Sequence, residues 1–193
     1  MKEILILSLI SIQSFAQLKI DGLDKFKINK TTVGFIDSLA KDNNLKIVKS
    51  YSSHRLYIAT QGQMDDMIIE ISYDTINEQS NDPYSHSCKY SRVFFLPRAQ
   101  ILGAEVEGLY LIFYRNRLIK MIVHDRNKLV GGLIAKYGEP SVKSKYTESN
   151  YYYKWANGDI ICVCNQTWTE AYLDSANDIL RECDKQSKRW IQK

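Results

Sequence analysis

The chain has 193 residues, of which 45% are hydrophobic and 25% are charged, and its formal net charge is +4. These values are typical of a globular domain and, with only 9 glycines and 3 prolines, exclude a collagen-like, low-complexity or disordered chain. The small positive excess does not require nucleic acid as a partner.

The first sixteen residues, MKEILILSLISIQSFA, have the pattern of a secretory signal peptide. Lys2 precedes a short apolar run, and the small residues Ser14 and Ala16 stand where signal peptidase requires them. The run is shorter than the roughly 20 residues that span a bilayer, and no cysteine follows the predicted cleavage site. We therefore expect residues 17–193 to be exported to the periplasm or the extracellular space, with no membrane span.

The first half of the mature chain alternates helical and extended patterns. Apolar residues at helical spacing predict a helix over Thr31–Asp42. The polar segment Thr75–Lys89 is rich in turn formers and predicts a long exposed loop, a kind of segment that is often functional. Between them, short strands are predicted at Leu45–Tyr51, Arg55–Thr60 and Met67–Tyr73.

The middle of the chain is predicted to be rich in strands. Pro97 is expected to end the first of them, and Arg115 and Asn116 form a tight turn between the last two. The predicted strands are, in order, Arg92–Leu96, Ile101–Glu107, Leu109–Tyr114 and Arg117–Val123.

A helix is predicted over Asp125–Tyr137, with Gly138 and Pro140 as its stop signal. Gly131 and Gly132 lie inside it, where the lack of side chains is expected to let the helix approach the sheet closely. After this helix, the turn dipeptide Asn157-Gly158 predicts a hairpin, and a last helix follows. The predicted ranges are Tyr151–Trp155 and Asp159–Cys164 for the hairpin and Ser175–Trp190 for the helix.

Runs of strands interrupted by few helices predict a single α+β domain over residues 17–193. Its expected form is a curved, mostly antiparallel sheet with two or three helices packed on one face. The dipeptide Val33-Gly34 is echoed by Val130-Gly131, and Leu39-Ala40-Lys41 is echoed by Ile134-Ala135-Lys136. These echoes predict two weakly repeated helix-plus-strands units.

A helix that ends in K-Y-G-x-P at residues 136–140, followed by a hairpin bearing tyrosine and tryptophan, resembles many uncharacterised exported proteins of the Bacteroidota. The ending S-F-A-Q of the N-terminal segment is similar to export signals of the same group. More distantly, residues 92–174 resemble the helix-plus-hairpin modules of outer-membrane assembly lipoproteins and of secreted β-lactamase inhibitor proteins. The resemblance implies a fold and transfers no functional residue, and the absence of a lipidation cysteine departs from the lipoproteins.

The even cysteine count, in an oxidising compartment, predicts up to two disulfides among Cys88, Cys162, Cys164 and Cys183. Cys162 and Cys164 would face the same side of a strand, so they are poorly placed to bond each other, but either could meet Cys183 on a covering helix. The alternative is four buried thiols that pack as small hydrophobic side chains. A lone C-x-C does not make a zinc site.

Catalytic and cofactor motifs are missing from the sequence. The three histidines lack metal-ligand spacing, and no phosphate-binding loop or nucleophile elbow occurs, so we predict no metal, no cofactor and no catalytic residue. The best nucleophile pair is Cys88 with His86, which would suit a secreted hydrolase.

The remaining candidates are binding residues. Tyr151, Tyr153 and Trp155 would share one face of a strand, which we assign to the core, while Tyr152 and Lys154 share the other. An exposed tyrosine there could stack on a sugar or anchor a protein partner. The candidate binding residues are therefore Tyr152, Lys154, Tyr84 and His86.

The sequence thus predicts an exported, non-enzymatic binding or inhibitor-like module that acts on another protein or an envelope component and not on nucleic acid. Two alternatives stay open: a secreted hydrolase with its site near His86 and Cys88, and an envelope-structural or immunity-type protein.

Overall fold

The computed structural model describes residues 19–50, 64–71, 88–125, 127–145 and 151–191, with side chains in the last range described up to residue 186. Its helices and strands are, in chain order, β1 (Gly22–Leu23), β2 (Phe26–Lys27), α1 (Val33–Asp42), β3 (Lys46–Ser50), β4 (Met67–Ile71), β5 (Ser91–Ile101), β6 (Ala104–Tyr114), β7 (Arg117–His124), α2 (Val130–Tyr137), β8 (Val142–Lys145), β9 (Tyr151–Asn157), β10 (Ile160–Cys164), β11 (Thr169–Leu173) and α3 (Ala176–Ile191).

Nine of the strands form one mixed sheet in the order β3-β4-β5-β6-β7-β11-β10-β9-β8, and β1 pairs with β2 in a separate hairpin. Only β3 and β4 run parallel to each other, while all other neighbours in the sheet are antiparallel. The α+β class is confirmed, with a sheet that is mixed and not purely antiparallel.

The sheet is covered on both faces, so the expected packing of two or three helices on one face holds for two helices, while the third lies on the opposite face. On the first face, the hairpin β1–β2, α1 and α2 bury Leu111 and Phe113. On the second face, α3 covers Ile112 through its own Ala176 and Leu180. The physical reason lies in β6, whose residues 109–113 are all buried and form a continuous apolar run, as in a strand that is covered on both sides.

Pro97 does not end a strand, because β5 continues through it to Ile101. The neighbour β4 pairs only with the first part of β5, up to Phe95, so the missing N–H of Pro97 faces no partner strand there. On the other side, the register with β6 skips Pro97 and Gly108, whose φ is 76°. The proline is thus accommodated at an irregular position of an otherwise continuous strand.

The predicted hairpin at Arg115-Asn116 is confirmed between β6 and β7. Both turn residues have positive φ, 46° and 69°, as a type I′ turn requires. The Asn116 Oδ1 also accepts a hydrogen bond of 3.1 Å from the Val33 N–H, so this distant turn, and not the side chain of Thr32, caps α1. The predicted strand Ile101–Glu107 is confirmed only in part: residues 104–107 belong to β6, but Leu102 and Gly103 form a tight turn between β5 and β6.

Helix α2 is shorter than predicted and begins at Val130, after a turn. Gly138 ends it with φ 78°, which confirms the predicted stop. A Cβ on Gly132 would lie 3.0 Å from the Leu102 Cβ, so the close approach is to the turn between β5 and β6 and not to a strand of the sheet, whereas Gly131 faces open space.

The turn between β9 and β10 is shifted by one residue from its predicted position. The two-residue loop is Gly158–Asp159, with φ 56° at Gly158, because Asn157 already pairs with Ile160. The edge strand β8 and the strand β11 have no counterpart among the predictions. The predicted signal peptide, the strand Arg55–Thr60 and most of the loop 75–89 lie outside the described residues, and the internal repeat stays a prediction.

Candidate functional site

Of the four predicted binding residues, the structure describes Tyr152 and Lys154. Tyr152 and Lys154 lie on β9, are half-buried and share the second face of the sheet. Tyr152 lies near Tyr172 of β11. Burial raises the pKa of the Tyr172 phenol, and the nearby Tyr152 raises it further. Tyr84 and His86 lie outside the described residues. A site formed by all four residues therefore stays a prediction.

The cysteines divide into a bonded pair and a free pair. Cys88, just before β5, forms a disulfide with Cys183 of α3, with 5.1 Å between their Cα atoms. The alternative pairing of Cys183 with Cys162 or Cys164 is wrong, because those two thiols point to the first face, opposite to α3. Burial raises the pKa of the Cys164 thiol to about 12 and that of Cys162 well above its ordinary range, so neither supplies a thiolate near neutral pH.

A buried polar cluster lies beside these thiols. The Asp125 Oδ2 accepts hydrogen bonds from the Thr169 hydroxyl at 3.0 Å and the Leu129 N–H at 3.1 Å. The Thr169 Oγ1 is also 3.0 Å from the Cys164 Sγ. Burial raises the pKa of the Asp125 carboxyl, whose Oδ1 has no hydrogen-bond partner within the structure as described. The cluster is enclosed in the core and has no described opening to a substrate, so we assign it a structural role.

The more prominent feature is a row of aromatic side chains on the first face of β9, formed by Tyr151, Tyr153 and Trp155 and called here the aromatic row. Successive ring centroids are 6.0 and 6.2 Å apart, and the ring planes are inclined by only 24° and 29°. Trp155 is buried, which agrees with its assignment to the core, but Tyr151 and Tyr153 are half-buried and reach the surface. The row therefore runs from the surface into the core.

Two lysines of the edge strand β8 lie over this row. The register places Lys143 opposite Tyr153 and Lys145 opposite Tyr151. The Lys143 Nζ is 5.5 Å from the Tyr153 centroid, and the Lys145 Nζ is 5.8 Å from the Tyr151 centroid, both within cation–π range. Both lysines are exposed, and neither forms an ion pair with a described carboxylate.

A pocket of about 430 Å³ opens at the buried end of the row. Its wall comes from three separate segments: the chain before β1, the end of α2 with the residues after it, and the end of β9. The lining residues are Lys19, Ile20, Tyr137, Glu139, Ser141, Trp155, Ala156 and Asn157. The pocket and the row adjoin at Trp155, which belongs to both, and the two together are called here the row groove.

Hydrogen bonds fix the walls of the row groove. The Trp155 indole N–H donates to the Gly138 carbonyl at 2.8 Å, which ties β9 to the end of α2. The Asn157 amide donates to the Ile20 carbonyl at 3.0 Å, and the Ser141 hydroxyl donates to the Lys154 carbonyl at 2.9 Å. These bonds use the side-chain donors of Trp155, Asn157 and Ser141. The oxygens of Glu139 and Asn157 remain as acceptors on the pocket wall, and the exposed Lys19 ammonium is a charged donor there.

Sequence reasoning missed this site because the lysines come from a strand that was not predicted. Val142–Lys145 is only four residues long and polar, so it has no hydrophobic signal. The available signal was the joint spacing of K-x-K and Y-x-Y-x-W, since alternate residues of two paired strands fall on one face.

Comparison with known protein families, with curated proteins and with solved structures finds no match to this chain. Among the described residues, no helix combines the length and apolarity needed to cross a bilayer, and no group of three or more acidic, histidine or cysteine side chains is placed to hold a metal ion. The function is therefore inferred from the geometry of the row groove.

Proposed function

We propose that this chain is an exported, non-enzymatic binding module whose row groove holds an acidic oligosaccharide of the cell envelope. The single observation that carries the proposal is the adjacency of three features. The partly exposed tyrosines and the two lysines without a described acidic partner lie on the paired strands β8 and β9, and the pocket adjoins the row at Trp155.

The aromatic row suits sugar rings. The outer tyrosines, Tyr151 and Tyr153, present flat apolar surface beside polar hydroxyl tips, and an amphipathic ring surface of this kind packs against the C–H faces of a sugar. The two rings are stacked, with centroids 6.0 Å apart and planes inclined by 24°, so the strand holds their exposed parts next to each other. An elongated ligand can contact both rings, and each ring is already held in place by the sheet.

The charges suit an acidic ligand. Lys143 and Lys145 place two ammonium groups beside the row, and a carboxylate on the ligand would supply the anion that the described residues do not. At the other end, Glu139 and the amide oxygen of Asn157 can accept hydrogen bonds from hydroxyl groups. A chain that carries both carboxylates and hydroxyl groups, as uronic-acid oligosaccharides do, satisfies both ends of the groove.

The hydrolase alternative has less support. The Cys88 sulfur is bonded to Cys183, so it offers no thiolate to a base at His86. The free thiols, Cys162 and Cys164, are buried and held in the protonated state. A non-enzymatic role needs only the groove.

Calorimetric titration of the full chain with trigalacturonic acid tests the proposal, with maltotriose as the neutral control sugar. We expect the acidic trisaccharide to bind, more weakly as salt rises, and maltotriose to bind at least tenfold more weakly. Lys143→Gln/Lys145→Gln should weaken binding about tenfold or more, which corresponds to about 1.4 kcal/mol.

The matched control is Lys46→Gln/Lys49→Gln, which removes the same charge from exposed lysines of β3 at the opposite edge of the sheet. This variant should bind like the parent protein. The proposal fails if trigalacturonic acid does not bind, or if the two double variants weaken its binding equally.

A further inference from the structure

A second group of cations and aromatic rings lies at the end of the sheet where β5 begins and β6 turns into β7. It consists of Lys89, Tyr90, Tyr114 and Arg115 and is called here the turn cluster. The Arg115 guanidinium lies 5.5 Å from the Tyr90 centroid and 5.3 Å from that of Tyr114, and the Lys89 Nζ lies 4.9 Å from Tyr90. The two tyrosine rings meet edge to face, with centroids 6.4 Å apart.

The turn cluster is held rigidly. The Arg115 N–H donates to the Tyr90 carbonyl at 3.0 Å, which joins the turn to the start of β5. The neighbouring Asn116 is fixed by its hydrogen bond from Val33, and Cys88 is fixed by its disulfide to α3. A surface that is ordered before binding loses little conformational entropy when a partner docks.

The cations of the turn cluster have no ion pair among the described residues, although the Asp184 carboxylate accepts a hydrogen bond of 2.9 Å from the neighbouring Cys88 N–H. Arg92 and Arg98 each contact a carboxylate: Arg92 lies 2.7 Å from Glu70, and Arg98 lies 3.2 Å from Asp65. By contrast, neither Lys89 nor Arg115 forms an ion pair with any carboxylate of the described residues. Both are exposed, and Tyr90 between them keeps 45% of its surface in solvent.

Exposed tyrosine and arginine held in a fixed geometry are the side chains that most often dominate protein–protein binding energy. We infer that the turn cluster docks an acidic segment of a partner protein, whose carboxylates pair with Lys89 and Arg115 while its chain packs on Tyr90. This surface is distinct from the row groove, because β11 and β10 separate β7 from β9 in the sheet. The chain would then bind a saccharide and a protein at separate places.

The test uses a fluorescein-labelled hexaglutamate peptide and fluorescence anisotropy with the full, disulfide-bonded chain. Lys89→Gln/Arg115→Asn should weaken binding at least tenfold, and asparagine accepts the left-handed backbone of position 115. Tyr90→Ala, which leaves the charge unchanged, should weaken binding at least threefold. Lys46→Gln/Lys49→Gln removes equal charge from β3, outside both proposed sites, and should change binding less than twofold.

Three results would overturn the inference. The first is no binding of the peptide, and the second is equal weakening by the two charge-neutralising double variants, which would mean general attraction to a basic protein. The third is a variant at the cluster that binds hexaglutamate normally but loses binding to phosphatidylserine vesicles, which would assign the surface to a membrane. Binding of trigalacturonic acid is measured separately and does not depend on any of these results.

Discussion

The two faces of the sheet are covered by different means. The first face lies under the hairpin β1–β2, α1 and α2, which bury large side chains such as Phe26, Ile36 and Leu133 against it. The second face lies under α3, whose side chains described up to residue 186 contribute the smaller buried set Ala176, Leu180 and Cys183. Helix α3 is also the only described helix joined to the sheet by a disulfide, through Cys88.

This difference indicates how each face is stabilised. A cover that buries many large apolar groups is held by the hydrophobic effect, at about 25 cal/mol for each Å² of apolar surface removed from water. A helix that buries few such groups is stabilised less by burial. In α3 the disulfide to Cys88, just before β5, compensates for this smaller stabilisation. We therefore expect the first face to be sensitive to cavities and the second face to be sensitive to reduction.

The largest effect is expected from a cavity on the first face. Phe113 is fully buried and meets Phe94 edge to face, with centroids 5.7 Å apart. Phe113→Ala should lower the free energy of unfolding by about 3–5 kcal/mol, as measured by urea denaturation. Leu180→Ala on the second face serves as the comparison and should cost about 2 kcal/mol. Equal costs would contradict the proposed difference between the faces.

The next effect is loss of the disulfide. Cys88→Ser/Cys183→Ser should lower the free energy of unfolding by about 2–4 kcal/mol, because the link closes a loop of 95 residues in the unfolded chain. Hydrogen exchange should rise more in α3 than in α1. Reductant should then have no further effect on the variant, and a reductant-sensitive variant would contradict the assignment.

Thiol counting supplies the control for that experiment. The native parent protein should show no thiol that reacts rapidly, because Cys162 and Cys164 are buried and protonated. After denaturation without reductant, two thiols should react. Four reactive thiols under those conditions would rule out the disulfide.

Much of this fold could be predicted from local signals. The turn at Arg115-Asn116 and the stop at Gly138 follow from residues that accept positive φ, so sequence reasoning placed them correctly. The predictions that failed concern features that depend on tertiary contacts. Nothing local indicates that β4 stops short of Pro97, or that Asn116 caps a helix 83 residues earlier in the chain.

The candidate site was harder to predict for the same reason. The row Tyr151, Tyr153 and Trp155 was correctly grouped on one face, but its partial exposure depends on which elements cover it. The lysines over it come from β8, and the pocket adds Lys19 from the other end of the chain. A site built from three distant segments leaves no compact motif in the sequence.

A smaller effect concerns the polar group buried on the first face. Asp125→Ala should cost about 1–3 kcal/mol, because the Leu129 N–H and the Thr169 hydroxyl lose their acceptor. The raised pKa of Asp125 favours folding below the ordinary carboxyl pKa of about 3.9, and this contribution is lost as pH rises through the folded-state pKa. Asp125→Asn keeps an acceptor and cannot ionise, so its stability relative to the parent should rise with pH between acid and neutral conditions. If the difference in stability between Asp125→Asn and the parent protein does not change with pH, Asp125 is not a buried carboxyl group with a raised pKa.

The smallest effect separates two adjacent glycines of α2 on the first face. A methyl group added at Gly131 would meet no atom within 4 Å, so Gly131→Ala should raise the free energy of unfolding by about 0.5–1 kcal/mol through helix propensity. At Gly132 the same methyl group would lie 3.0 Å from the Leu102 Cβ and 3.2 Å from its carbonyl oxygen, and the backbone of the turn cannot yield easily. Gly132→Ala should therefore lower the free energy of unfolding despite an identical gain in propensity. Thermal denaturation of the two variants measures the difference, and stabilisation by both would show that α2 is not packed closely against the turn between β5 and β6.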